Sequence, residues 1–188
     1  MRSDLVLLVV ISACSSVSGV RRVSPEFIGT VVESAKNGSL AMGRSVVRLG
    51  VAADDLPSFC LVIGERAREC RLAARAESPV VRLDRGGRVV AIVAYRQDGP
   101  IPFACSLFGS LDAGLTGALD HAIRKVDANC SCESGVGCIG HSRGNVTWTL
   151  GDTELALAVW RSAEKFETPD GTPLAEVSVT IRSVEDGL

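Results

Sequence analysis

A chain of 188 residues, 46% apolar and only 4% aromatic, has the length for one domain or two small ones and the composition for an aliphatic core. Its formal net charge of −2, with no basic run, excludes nucleic acid as a partner, and the scarcity of rings leaves no base-stacking platform.

The start Met1-Arg2-Ser3-Asp4 is followed by the apolar run Leu5 to Ala13 and by small polar residues from Ser15 to Gly19. That layout predicts a signal peptide over 1–19, cut after Gly19, and a single secreted globular domain over 20–188. The run is too short to span a bilayer. Ile11-Ser12-Ala13-Cys14 also fits a bacterial lipobox, in which Cys14 would carry lipid. The tail to Leu188 carries no lipid-anchor signal, so the mature chain is expected to lack a membrane anchor.

Ser24-Pro25 sets an N-cap before a proline at the first helical position, and Phe27, Ile28, Val31, Val32 and Ala35 recur at helical spacing up to Asn37-Gly38. A helix is predicted over 25–36. Short β-type runs separated by turn residues come next. They read as strands at Ser45 to Val51, Ser58 to Ile63, Glu69 to Ala74, Val80 to Leu83, Arg88 to Tyr95 and Ile101 to Phe108. Asp84 to Gly87 is the clearest hairpin, and Gln97 to Pro100 reads as a turn.

A second helix is predicted from Ser110 to Ala128 on the stripe Leu111, Leu115, Leu119, Ile123 and Val126, with His121 on it. After a cysteine-rich loop the tail returns to strands at Asn145 to Leu150, Glu154 to Ser162 and Leu174 to Val184. The expected fold is mainly β, an antiparallel sandwich or meander, with two packed α-helices; a disulfide-reinforced α+β fold is the alternative. A helix followed by strands occurs twice, which divides the domain into sub-halves 24–109 and 110–188.

All three asparagines, Asn37, Asn129 and Asn145, open Asn-x-Ser/Thr triplets, and this points to N-glycosylation in a secretory compartment. Removing the signal leaves six cysteines, Cys60, Cys70, Cys105, Cys130, Cys132 and Cys138. An even set in an oxidising compartment predicts three disulfides, with Cys60 to Cys70 a candidate cross-strand bridge.

Two motifs in the cysteine loop suggest chemistry. Gly140-His141-Ser142-Arg143-Gly144 matches the G-x-S-x-G nucleophile elbow, yet the run Val146 to Thr149 after it is β-type and no histidine lies beyond His141, so a hydrolase triad cannot be assembled in order. Cys130, Cys132, Cys138 and His141 have the donors for tetrahedral zinc, but a zinc site would strand three other cysteines, and disulfides are favoured. Trp148 and Trp160 read as core strand residues. Arg66, Arg68, Arg71 and Arg75, interleaved with Glu65, Glu69 and Glu77, read as a solvated hairpin face.

These features point to a secreted, N-glycosylated, disulfide-bonded protein acting as an extracellular protein-binding module, without catalysis, cofactor or metal. An antagonist or decoy made by a virus or parasite fits them. Two other readings stand beside it: a secreted protease inhibitor with helix-on-sheet architecture, and a small secreted serine hydrolase using Ser142. The inhibitor's layout resembles that of cystatins in architecture alone, since the chain has neither their Gln-x-Val-x-Gly loop nor their Pro-Trp pair.

Overall fold

Ser24 accepts a hydrogen bond from the Phe27 amide at 3.1 Å and so starts helix α1 (Pro25–Lys36), whose bounds match the sequence reading. This is a computed structural model, and it describes residues 23–42, 45–56, 61–63, 69–71, 79–127, 143–161 and 174–184. Ile28, Val31, Val32 and Ala35 of α1 are buried, the stripe that helical spacing dictates. Gly38 leaves the helix with φ 57°, a conformation that suits glycine. The chain then turns into the hairpin β1 (Ser39–Met42) and β2 (Ser45–Arg48), paired antiparallel with Ser39 opposite Arg48.

A short 3₁₀ turn at Ala53–Asp55 leads to a meander of β3 (Leu61–Ile63), β4 (Glu69–Arg71), β5 (Val80–Leu83) and β6 (Val89–Pro100). Helix α2 (Ile101–Ala118) comes directly after it, then a second meander of β7 (Ile123–Asp127), β8 (Arg143–Leu150), β9 (Thr153–Arg161) and β10 (Leu174–Ser183). The eight strands form one antiparallel sheet in the order β3-β4-β5-β6-β10-β9-β8-β7. The protein is therefore mainly β with two helices, and the meander is the arrangement found.

Both meanders end at the centre of the sheet, where β6 and β10 pair from Leu174 opposite Pro100 to Arg182 opposite Ala91. A helix and a four-strand meander thus occur twice, the first time with the β1–β2 hairpin between them, and the strand order is that of a two-fold arrangement about the β6–β10 seam. The halves meet at Pro100 and Ile101, earlier than the expected 109/110 boundary. One core unites them: Leu107, Leu111 and Leu115 of α2 and Val31 of α1 cluster with Trp148, Leu155, Leu157, Val177, Val179 and Ile181 of the second meander, all at 2% exposure or less. Thr153 adds a tie, its hydroxyl donating to the Ala35 carbonyl at 2.7 Å.

Several sequence expectations are corrected. Ile101 to Phe108 is helix, not strand: Ile101, Ala104, Leu107, Leu111 and Leu115 are all buried, so the apolar period is helical, and Pro102 fits the first turn. The second helix stops at Ala118, and Ile123 to Asp127, expected as its last turns, pairs as a strand with Thr149 to Asn145. His121 accordingly lies in the turn between them. Ser45 to Val51 is the second arm of a hairpin whose first arm, Ser39–Met42, has no strong pattern.

Gln97 to Pro100 is also strand rather than turn. It pairs with Val177 to Leu174, and Gly99 is buried because the Phe103 ring of α2 sits against it; a Cβ there would overlap Phe103 Cδ1. Pro100 is the last residue of β6 and lies beyond Val93, where the pairing with β5 ends, a strand-end position where a missing amide is tolerated. The hairpin at Asp84 is as expected: Asp84 and Arg88 exchange backbone and side-chain bonds at 2.9 and 2.8 Å, and Gly87 takes φ 77°.

Candidate functional site

The pleat sends alternate strand residues to opposite faces of the sheet. On β10, Ala175, Val177, Val179 and Ile181 face the helices, in the core cluster, which leaves Glu176, Ser178, Thr180 and Arg182 on the face that carries neither helix. A bulge between Val179 and Thr180 skips Ala94 of β6 and reverses the alternation there. Tyr95 consequently turns to the helix side, where it meets Phe27 edge-on at 5.3 Å between centroids, and Arg96 and Asp98 turn to the helix-free side.

The register then lays out that face in rows. Arg71, Val80, Val93, Thr180, Ala156 and Thr147 form one; Glu69, Arg82, Ala91, Arg182, Glu154 and Thr149 form the next. Small or apolar residues floor the middle: Val80 and Val93 are buried, as are Ala91, Ala156, Ala158 and Ser178. Charged side chains stand around them in cross-strand pairs. Arg82 Nε donates to Glu69 Oε1 at 3.0 Å, Arg96 Nε approaches Glu176 Oε1 to 3.2 Å, and Arg182 Nε donates to Glu154 Oε1 at 2.8 Å.

Three groups are less well satisfied. Arg71 is half-buried, and its Nε is fully enclosed without a hydrogen-bond acceptor among the described residues. The Arg96 Nε, though close to Glu176, lacks hydrogen-bond geometry. Burial raises the Glu176 carboxyl above its ordinary value, and the facing Arg96 only partly offsets this. On the far side of the face Trp160 is 39% exposed, with its indole N–H 3.4 Å from Ser178 Oγ.

The expected site residues scatter. Asn37 caps α1 at its C-terminus, its Nδ2 donating to the Glu33 carbonyl at 3.0 Å and to Glu33 Oε1 at 2.7 Å. It borders an open groove of about 490 Å³ between α1 and the β1–β2 hairpin, with Glu33, Val46 and Arg48 among its walls. Asn145 lies on β8 opposite Ala158 and Asp127, on the helix-free face. Asn129, Cys14, Cys60, Cys130, Cys132, Cys138, His141, Ser142 and segment 1–19 lie outside the described residues, as do Arg66, Arg68 and Arg75.

Cys70 is buried and disulfide-bonded. Cys105 departs from expectation: it is a free thiol, buried on α2. With Cys105 unpaired, the expected set of six loses one member, and Cys60, Cys70, Cys130, Cys132 and Cys138 cannot form three bridges among themselves. The cysteine count alone gives no sign of this, because parity cannot see that Cys105 sits on the core stripe of a helix. Trp148 is core as expected, at 1% exposure, whereas Trp160 is not.

Among the described residues no group of three His, Cys, Asp or Glu is placed to hold a metal ion, and no helix is long and apolar enough to cross a membrane. No protein-family model, curated protein or solved structure matches the chain.

Proposed function

We propose that this protein is a secreted, N-glycosylated, disulfide-bonded binding module that engages an extracellular protein through the helix-free face of its sheet. The observation that carries this reading is Arg71. A half-buried guanidinium with an enclosed, unmatched donor loses roughly 1–3 kcal/mol; the enclosed Nε is out of a partner's reach, but a partner carboxylate that meets the outer nitrogens of the same guanidinium offsets part of that loss. Arg82, Arg96 and Arg182 already have carboxylates beside them, which leaves Arg71 and, at the sheet edge, Lys125 as the cations of this face among the described residues that can receive one; of the two, Arg71 is the half-buried one. Trp160 supplies the kind of aromatic group that anchors protein interfaces. Export rests on the signal-like start and the three sequons. The antagonist or decoy role is a narrower version of the same reading.

The test has two parts. The intact mass of protein secreted from eukaryotic cells, with and without glycosidase, reports the start at Val20 and the glycans. Binding of that protein to an array of extracellular domains, compared with Arg71→Ala and Trp160→Ala, reports the face. A saturable interaction weakened about tenfold or more by either substitution is expected, in the range of interface hot spots. Binding unaffected by both removes the helix-free face from the reading, and a retained 1–19 segment removes secretion.

The two helices on one side of an antiparallel sheet keep a second reading in view, a secreted protease inhibitor. Inhibition of any enzyme in a panel of proteases of all four mechanistic classes would move the proposal there.

A further inference from the structure

Strand β7 stands at one end of the sheet order, and its neighbour among the described residues is β8. Ile123 is 75% exposed and Val126 50%. Arg124 and Lys125 are exposed as well. A strand edge with unpaired backbone groups and apolar side chains is a template for another strand unless its charges forbid pairing. The charges of β7 do not forbid it. Arg124 is neutralised on its own subunit by Asp112, at 2.9 and 2.8 Å. Lys125 and Asp127 occupy successive positions on the helix-free side, opposite Thr147 and Asn145, and carry opposite signs.

We propose that β7 is a self-association edge, on which a second copy of this chain adds antiparallel to continue the sheet. A two-fold axis perpendicular to the sheet keeps each face on its own side and sets one residue of β7 opposite itself. Centring on Lys125 or Asp127 places identical charges in direct opposition, which destabilises a strand pair, and centring on Arg124, already held by its own Asp112, sets Lys125 opposite Ile123 and forms no charge pair. Centring on Ile123 sets Arg124 and Lys125 opposite the turn at His121 and Ala122. Centring on Val126 pairs valine with valine and sets each Lys125 opposite Asp127 of the second copy, twice over. This register alone joins apolar to apolar and opposite charge to opposite charge. An interface of one short strand is small, so the dimer is weak, with a dissociation constant on the order of 10–100 µM.

Sedimentation equilibrium of the purified full chain across that range tests the proposal. A monomer–dimer equilibrium is expected. Lys125→Glu and Asp127→Lys each create two like-charge oppositions and should weaken it about tenfold or more. The double variant carrying both substitutions restores opposite charges and should recover the wild-type constant, and an equimolar mixture of the two single variants should form a heterodimer. An unchanged thermal midpoint for each variant excludes misfolding. A chain that stays monomeric throughout overturns the proposal, and so does a dimer indifferent to the single swaps.

Discussion

Arg124 closes on Asp112 through two hydrogen bonds from its Nη2, at 2.9 Å to Oδ1 and 2.8 Å to Oδ2, and so ties the outermost strand to helix α2. The same guanidinium lies 6.0 Å from the centroid of the Trp148 ring, which is 1% exposed. A planar cation is thus held between a carboxylate and an aromatic ring, a geometry that lysine cannot copy.

Arg124→Ala should destabilise the fold by about 1 kcal/mol, since the pair is only partly buried. Arg124→Lys should recover less than half of that. Thermal unfolding reads the difference as a shift of about 2–4 °C per kcal/mol for a domain of this size. Equal midpoints for wild type and both variants would show that the ion pair contributes nothing to holding β7.

Gly99 and Phe103 give a steric prediction. Because a Cβ at Gly99 would overlap the Phe103 ring, Gly99→Ala should cost about 1–3 kcal/mol through overpacking at the β6–α2 junction. Phe103→Leu is expected to relieve most of that loss in the double variant, although alone it is mildly destabilising. A double-mutant cycle from denaturant titrations measures the coupling; strictly additive effects would mean the ring is not what requires glycine.

Cys105 yields a chemical test. A free thiol at 7% exposure on α2 should resist alkylation in the native protein and react once denaturant is added, with no reductant present. Peptide mapping should then find the label at Cys105. If Cys105 is recovered only in a disulfide-linked peptide, the three-bridge pattern predicted from cysteine parity returns.

Much of the fold was legible because its signals are local. Ser24-Pro25 with the stripe to Ala35 fixed α1, and the alternation of Val177, Val179 and Ile181 marked β10. The Asp84 to Gly87 turn marked the β5–β6 hairpin. What misled was ambiguity of period. Ile123 and Val126 continue the three-to-four spacing of α2 yet are exposed on a strand, and Ile101 to Phe108 is dense enough in apolar residues to satisfy either pattern. The candidate site was nearly invisible for a different reason. Arg96 and Asp98 reach the helix-free face only because one bulge at Ala94 shifts the alternation, and Arg71 is distinguished from its neighbours by what it lacks, which spacing does not encode.

Glu176 makes the charged face sensitive to pH. Its carboxyl titrates above the ordinary 4.5, chiefly because burial disfavours the charged form. Between 4.5 and that higher value the folded protein holds a proton that the unfolded chain has released. Stability therefore falls as pH rises through this window and is level above it. Glu176→Gln removes the titration, so the variant should gain stability relative to wild type over the same interval, offset by a constant loss from the weakened Arg96 contact. Denaturant unfolding of both proteins at closely spaced pH values measures this. Parallel curves across the window would mean that the Arg96 guanidinium, 3.2 Å away, compensates burial in full, and Glu176 would then be charged in the folded protein wherever a free glutamate is.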